Sequence, residues 1–301
     1  MPRDDVPIKH VSDTAFMVAV YRAMESERTD ALYHDPLARK LAGEHGARIV
    51  ASMSGRRTRM MVWTLGLRTR IIDELLLDCV TRGTQAILNL GAGLDTRPYR
   101  LPLAESLLWI EADYPHMIEL KEERLEDERP RCRLERVKLD LADIAARAEL
   151  FAQVSARCER VLVLTEGVIP YLSVDEVARL AQDLRAYGSF RHWIVDYFSP
   201  ESMRYRKRNA IRRTMANAPF RFDPGDYFGF FEQHGWRPAQ IRYLWDEAQA
   251  LDRPMPLPWM AKFWLALGVS RRRQEILRKL MAYVVLDPAS GNDGAGSLVK
   301  D

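Results

Sequence analysis

The apolar run Ala86-Ile-Leu-Asn-Leu90 passes directly into the turn Gly91-Ala92-Gly93-Leu94-Asp95. Glycines at such a point allow a tight bend and let a ligand approach the backbone closely. In an open α/β sheet, ligands bind beyond the carboxyl ends of the strands, so the position suits a cofactor. A dinucleotide fingerprint would carry a third glycine, but this run ends on Asp95-Thr96. The two glycines alone are equally compatible with a plain strand-to-helix turn.

Three acidic positions sharpen the reading. The segment Trp109-Ile-Glu-Ala-Asp113 ends in a carboxylate about twenty residues after the turn, where an acidic side chain can accept both hydroxyl hydrogens of a ribose. Asp140, before Leu141, closes the next candidate strand within reach of an adenine amino group. Val161-Leu-Val-Leu164 runs into Thr165-Glu166-Gly167, and a glutamate there is costly unless solvent or a ligand satisfies it.

The elements that must position these residues alternate. Short apolar runs at 86–90, 107–111, 161–164 and 193–195, with a weaker alternating run at 133–139, predict strands. Residues 115–127, 144–157 and 174–187 have helical spacing, the last opened by the capping box Ser173-x-x-Glu176, with Gly188 placed to close it. This alternation implies an α/β fold, a parallel sheet with helices on both faces. The first 85 residues instead predict helices at 14–28, 36–44 and 57–79, with Asp35-Pro36 as a helix start. The expected organisation is a helical cap region (1–85) and an α/β core (86–287). Within that core, a helical insertion around 200–222 is expected over one end of the sheet, and the Gly-rich tail 288–301 is expected to be disordered.

Composition narrows the class. With 45 Lys and Arg against 42 Asp and Glu, the net charge of +3 makes no case for nucleic acid or a membrane surface. Cys79, Cys132 and Cys158 are scattered, so neither a disulfide framework nor a metal site is expected. The polar start MPRDDVPIKH lacks the apolar core of a signal peptide, and a cytoplasmic location is the expectation.

Four ordered segments, RTRIID (68–73), QAILNLGAGLDTRPYRL (85–101), WIEADYP (109–115) and LTEGVIPYL (164–172), resemble the leucine carboxyl methyltransferase-like family of S-adenosylmethionine-dependent O-methyltransferases, in its bacterial branch. Arg22-Ala-Met-Glu25 and Tyr33-His-Asp-Pro36 resemble it too, and the similarity spans roughly residues 12–200. It implies a Rossmann-like class I methyltransferase sheet and S-adenosyl-L-methionine as cofactor. It also implies that Arg68 pairs with the methionyl carboxylate, with Arg70 close enough to be the true partner. Gly91 would lie against the methionine portion, Asp113 would bind the ribose, Asp140 and Leu141 would flank the adenine, and Glu166 would orient the methionine amino group. Tyr171 falls where the family has a tyrosine near the substrate.

The acceptor implied is a small molecule or peptide bearing a carboxylate or hydroxyl. A carboxylate is ionised at neutral pH and needs no general base, in keeping with a sequence that shows no catalytic dyad. The arginine-rich stretch Arg204–Arg213 and Tyr171 are candidates to hold it, although such a stretch is equally a solvated helix face. His34, His116, His192 and His234 read as structural or surface residues. Three rivals stand beside this reading: a nicotinamide-dependent oxidoreductase, a cofactor-binding module without catalysis, and a nucleic-acid methyltransferase. The last lacks an Asn-Pro-Pro-Tyr signature.

Overall fold

The computed structural model describes residues 12–208, 219–257 and 271–289. Three helices come first, α1 (Ser12–Ser26), α2 (Ala38–Ala51) and α3 (Gly55–Thr81). In α3, Leu67, Ile71, Leu75 and Cys79 recur at four-residue intervals and form one buried stripe. Ser54 caps this helix by accepting the Arg57 N–H. The expected start of α2 at Asp35-Pro36 does not form, because α2 begins at Ala38 after Leu37. Asp35 is buried instead, accepting Thr96 Oγ1 at 2.7 Å and facing Arg22 Nε at 3.2 Å. Two buried tertiary partners outcompete a helix end for that carboxylate.

The core then alternates as β1 (Ala86–Leu90), the short α4 (Arg97–Arg100), β2 (Leu108–Asp113), α5 (Pro115–Arg124), β3 (Arg133–Lys138), α6 (Ile144–Arg157) and β4 (Val161–Leu164). A 3₁₀ turn at Ile169–Tyr171 leads to α7 (Val174–Arg185), β5 (Phe190–Phe198) and α8 (Pro200–Arg208). Beyond these lie α9 (Tyr227–Gln233), β6 (Trp236–Tyr243), α10 (Leu244–Ala250), α11 (Arg271–Arg278) and β7 (Met281–Pro288). Among the described residues, no helix is long and apolar enough to cross a membrane.

The seven strands form one sheet in the order β3-β2-β1-β4-β5-β7-β6. The first five in that order are parallel, but β7 runs antiparallel to both neighbours, so the sheet is mixed where an all-parallel one was expected. Side chains alternate between its two faces. Leu88, Ile110, Val163 and Trp193 pack under α6, α7 and α9, while Ile87, Trp109, Leu162 and Ile194 pack under α3 and α10. A third cluster joins α1 and α2 to Met117 and Leu125 of the core, seating the helical region beside the carboxyl end of β1.

The box at the start of α7 is complete. Ser173 N donates to Glu176 Oε2 at 2.6 Å, and Glu176 N donates back to Ser173 Oγ at 3.3 Å. Ser173→Ala should therefore destabilise the protein by about 1 kcal/mol, read as a lower urea midpoint at constant slope. An unmoved midpoint would mean that packing alone sets this end of α7. Gly188 does not close the helix; the cap is Ala186, and Gly188 is not among the residues at positive φ. Of the insertion expected at 200–222, α8 is helical and 209–218 lie outside the described residues. Of the expected tail, 290–301 lie outside them, and Pro288 ends β7.

Candidate active site

In the sheet order, the chain reverses direction of travel between β1 and β4, and ligands gather outside the carboxyl ends at such a switch point. A cavity of about 490 Å³ opens there. It takes Gly91 from the end of β1, Asp113 from β2, Asp140 and Leu141 from the loop after β3, and Glu166 from the loop after β4. Arg68 reaches in from α3 and Tyr171 from the 3₁₀ turn. The structure thus brings all seven residues singled out in the sequence into one cavity. Arg70 is not among its lining; it pairs with Glu74 at 2.5 Å on the outer side of α3.

Gly91 sits at φ +66°, a conformation that side chains with a Cβ rarely adopt, and a Cβ here would lie 2.5 Å from Val168 Cγ2. Its N–H is held by Ala112 O at 2.8 Å, which fixes the turn to β2. Asp113 binds the same turn from the other side. Its Oδ2 accepts the Gly93 N–H at 2.6 Å and its Oδ1 the Tyr114 N–H at 2.7 Å, leaving further lone pairs for hydroxyl donors. Burial pushes this carboxyl above its ordinary range, and the two N–H donors offset only part of that.

Asp140 Oδ1 accepts the Ala142 N–H at 2.9 Å and so shapes the loop. Arg147 Nη1 holds the Leu141 carbonyl at 2.6 Å, with the Leu141 residue on the cavity wall.

Glu166 is gripped by two arginines. Arg68 Nε lies 2.7 Å from Oε1, and Arg97 Nη1 donates to Oε2 at 2.6 Å. Burial works to raise the Glu166 pKa, but Arg68 and Arg97 win and hold it below the usual carboxylate range. Arg68 also faces Asp196 Oδ1 at 3.9 Å, while Asp196 Oδ2 accepts the Gly167 N–H at 2.6 Å. A Cβ on Gly167 would come within 2.8 Å of Arg68 Nη2, so glycine is what lets the guanidinium lie against this loop. No hydrogen bond among the described residues engages the two Nη groups of Arg68. That leaves a planar donor pair suited to a carboxylate.

Several supporting residues carried no expected role. Arg97 is almost wholly buried and ties three carboxylates together: Asp73 at 2.7 Å, Asp95 at 2.9 Å and Glu166 at 2.6 Å. Asn89 Nδ2 donates to Asp95 at 2.9 Å, and Arg22 donates to the Leu94 carbonyl from α1. Asp73 and Arg97 stand inside segments quoted above, RTRIID and GAGLDTRP, and their signal was a pair of opposite charges flanking each motif. Burial alone would raise the Asp95 pKa, yet Arg97 and its neighbours drive it well down.

The arginine stretch after residue 200 does not contribute from its described part. Arg204 is exposed and pairs with Glu201 at 2.6 Å, and Arg212 and Arg213 lie outside the described residues. The histidines take structural partners: His192 with Asp287 at 2.6 Å, His116 with Ser12 Oγ at 2.9 Å and His234 with the Phe230 carbonyl at 2.7 Å. His34 is exposed.

Comparison with known proteins adds an independent line. Residues 15–185 match the sequence model of the leucine carboxyl methyltransferase family. A protein of Frankia alni, named as an S-adenosyl-L-methionine-dependent methyltransferase, is 30% identical over 263 residues, covering 84% of this chain and 92% of its own length. One of the same description from Streptomyces coelicolor is 31% identical over 260 residues, covering 80% and 88%. Among solved structures, a DUF574-family protein from Streptomyces avermitilis superposes with a TM-score of 0.52 at 14% identity, covering 90% of this chain and 96% of that one. That likeness is one of fold.

Proposed function

The chain belongs to the leucine carboxyl methyltransferase family, and on that premise we propose that it is an S-adenosylmethionine-dependent O-methyltransferase acting on a carboxylate or hydroxyl oxygen of a small-molecule or peptide acceptor. One observation carries the reading: the switch-point cavity gathers Gly91, Asp113, Asp140, Leu141 and Glu166 from successive strand ends, with Arg68 reaching in from α3.

These residues fit the cofactor. The bare backbone at Gly91 leaves the space that a Cβ would fill, and the free Nη pair of Arg68 matches a methionyl carboxylate. Glu166, held ionised by its arginines, suits an ammonium group, Asp113 a ribose, and Asp140 with Leu141 an adenine. When bound, the cofactor supplies a methyl group on a positively charged sulfur.

The chain's own task is then alignment and exclusion of water, which is proximity catalysis. A carboxylate acceptor gives up no proton when its oxygen is methylated, so the protein need supply no base. Tyr171, on the cavity wall and edge-on to Phe220 at 5.1 Å, would position the acceptor.

The dinucleotide alternative has less support. Its pyrophosphate needs the N-terminus of a substantial helix after the glycine turn. Here the turn leads only into the four-residue α4 with Pro98 inside it.

Calorimetry with S-adenosylhomocysteine and with a nicotinamide dinucleotide tests the reading; binding of the second without the first would sink it. In the same assay, Asp113→Ala should weaken S-adenosylhomocysteine binding by roughly 1–3 kcal/mol through lost charge-assisted hydrogen bonds. Unchanged affinity would remove Asp113 from the site. Labelled methyl groups released as methanol by base would identify an ester product and hence a carboxylate acceptor.

A further inference from the structure

A carboxylate acceptor must enter a cavity whose walls already carry Asp95, Asp113, Asp140, Glu166 and Glu176. Some cation has to offset that field. Five arginines line the same cavity, and three are committed elsewhere. Arg22 faces Asp35 at 3.2 Å and donates to the Leu94 carbonyl, Arg68 grips Glu166, and Arg147 holds the Leu141 carbonyl and Asp183. The two that remain are Arg179 and Arg221.

They come from different elements and meet around one residue. Arg179 lies on α7, three positions after Glu176, and makes no ion pair or hydrogen bond among the described residues. Arg221 lies near the end of the 200–222 segment, where its N–H donates to the Pro170 carbonyl at 2.7 Å. That main-chain clip sets Arg221 beside the turn bearing Tyr171, with Phe220 against the tyrosine ring. Its guanidinium lies 3.3 Å from Glu176 Oε2, the same oxygen that accepts the Ser173 N–H at 2.6 Å in the helix cap. Glu176 is therefore fixed by its own helix and holds Arg221 on the cavity wall, while its single charge is shared by the fields of Arg221 and Arg179.

Resting on the methyltransferase reading, we propose that Arg179 and Arg221 form the anion anchor of the acceptor subsite, and that the substrate class is a small organic acid. The anchor takes the part first sought in the Arg204–Arg213 stretch. A guanidinium binds a carboxylate through a charge-assisted, two-pronged contact, and an uncharged amide of the same shape cannot match it. The selectivity of this end is thus one of charge, with the apolar Val18 and Leu172 on the surrounding wall tolerant of chain shape.

The test is calorimetry on the whole protein saturated with S-adenosylhomocysteine, using benzoate against benzamide and hexanoate against hexanamide. In the wild type, each acid should bind about tenfold or more tightly than its amide. In the Arg179→Gln/Arg221→Gln double variant, that ratio should fall to within about twofold, with S-adenosylhomocysteine affinity retained. An acid preference that survives in the double variant overturns the anchor. So does a wild type with no acid preference, whether both probes bind or neither does. Failure of the wild type to bind S-adenosylhomocysteine is a different result, which overturns the methyltransferase reading on which the anchor rests.

Discussion

Gly91→Val should yield a folded protein that no longer binds S-adenosylhomocysteine at concentrations that saturate the wild type. Two independent obstacles meet at this position. The backbone stands at φ +66°, where an L-residue is strained by about 1–2 kcal/mol. The new Cβ would also arrive 2.5 Å from Val168 Cγ2, so Val168 has to move, and overpacking of this kind costs about 1–3 kcal/mol. Val168 belongs to the loop that begins with Glu166 and Gly167. The displacement therefore disturbs the β4 side of the cavity as well as the β1 side. The sheet itself should hold, because β1 is buried along its whole length and paired on both edges. Circular dichroism would show the retained fold, and calorimetry the lost binding. Val168→Ala in the same chain removes the clash but leaves the strained φ and the branched side chain, so it should recover stability more than affinity. Wild-type affinity in Gly91→Val would take the turn out of the site.

What could be read ahead of the structure was what depends on local pattern. β4 is a continuous apolar run and β1 one broken only by Asn89, the form a strand takes when both its faces are covered. α6 is set at its start by its own sequence, with Asp143 accepting the Ala146 N–H. β6 and β7 were not anticipated. Ala282-Tyr-Val-Val-Leu286 is as apolar as β1, and it follows the helix α11 as a parallel strand would, so its local sequence does not reveal its direction. Its antiparallel place beside β5 comes from pairings such as Trp193 with Leu286, too far apart for any window of sequence to contain. β6 was hidden further by Pro238, tolerated at an edge strand beside a register shift.

The same division runs through the site. Gly91, Asp113, Asp140 and Glu166 occupy strand ends, and strand ends can be located from periodicity. Arg97 and Asp35 cannot, because a charge network is settled only by which helix packs against which loop. Asp35 had a local explanation, a helix start; its buried contacts reach instead to Arg22 on α1 and to Thr96, 61 residues along the chain. The acceptor anchor is the extreme case. Arg179 and Arg221 look like ordinary surface arginines until the Pro170 clip puts them on one wall.

Arg97→Met should be the most destabilising substitution near the cavity, and the size of the loss should depend on pH. Methionine fills comparable space, so the effect isolates charge and hydrogen bonding. Removing one partner of a buried ion cluster costs about 3–5 kcal/mol, because the remaining charges lose their compensation. Here Asp73 keeps Arg100 at 2.5 Å and Glu166 keeps Arg68, but Asp95 is left with Asn89, a backbone N–H and Arg22 at 3.9 Å. In the wild type, burial pushes Asp95 and Glu166 upward, yet Arg97 and its neighbours hold both below the usual carboxylate range. A depressed folded pKa contributes stability above the unfolded value of about 4, and loses it as pH falls through the folded value. The variant gives up that contribution, so its deficit should be full at pH 7 and should narrow as the pH drops below about 4. Urea titrations of both proteins from pH 7 down to about 3, below the unfolded carboxylate value, measure the difference directly. A deficit that stays constant across the range would mean that lost packing, and not the carboxylates, accounts for it. Arg97→Lys keeps the charge but not the three-way fork, and should recover part of the stability. Its affinity for S-adenosylhomocysteine should still fall, because one ammonium cannot hold Glu166, Asp95 and Asp73 at their present spacing.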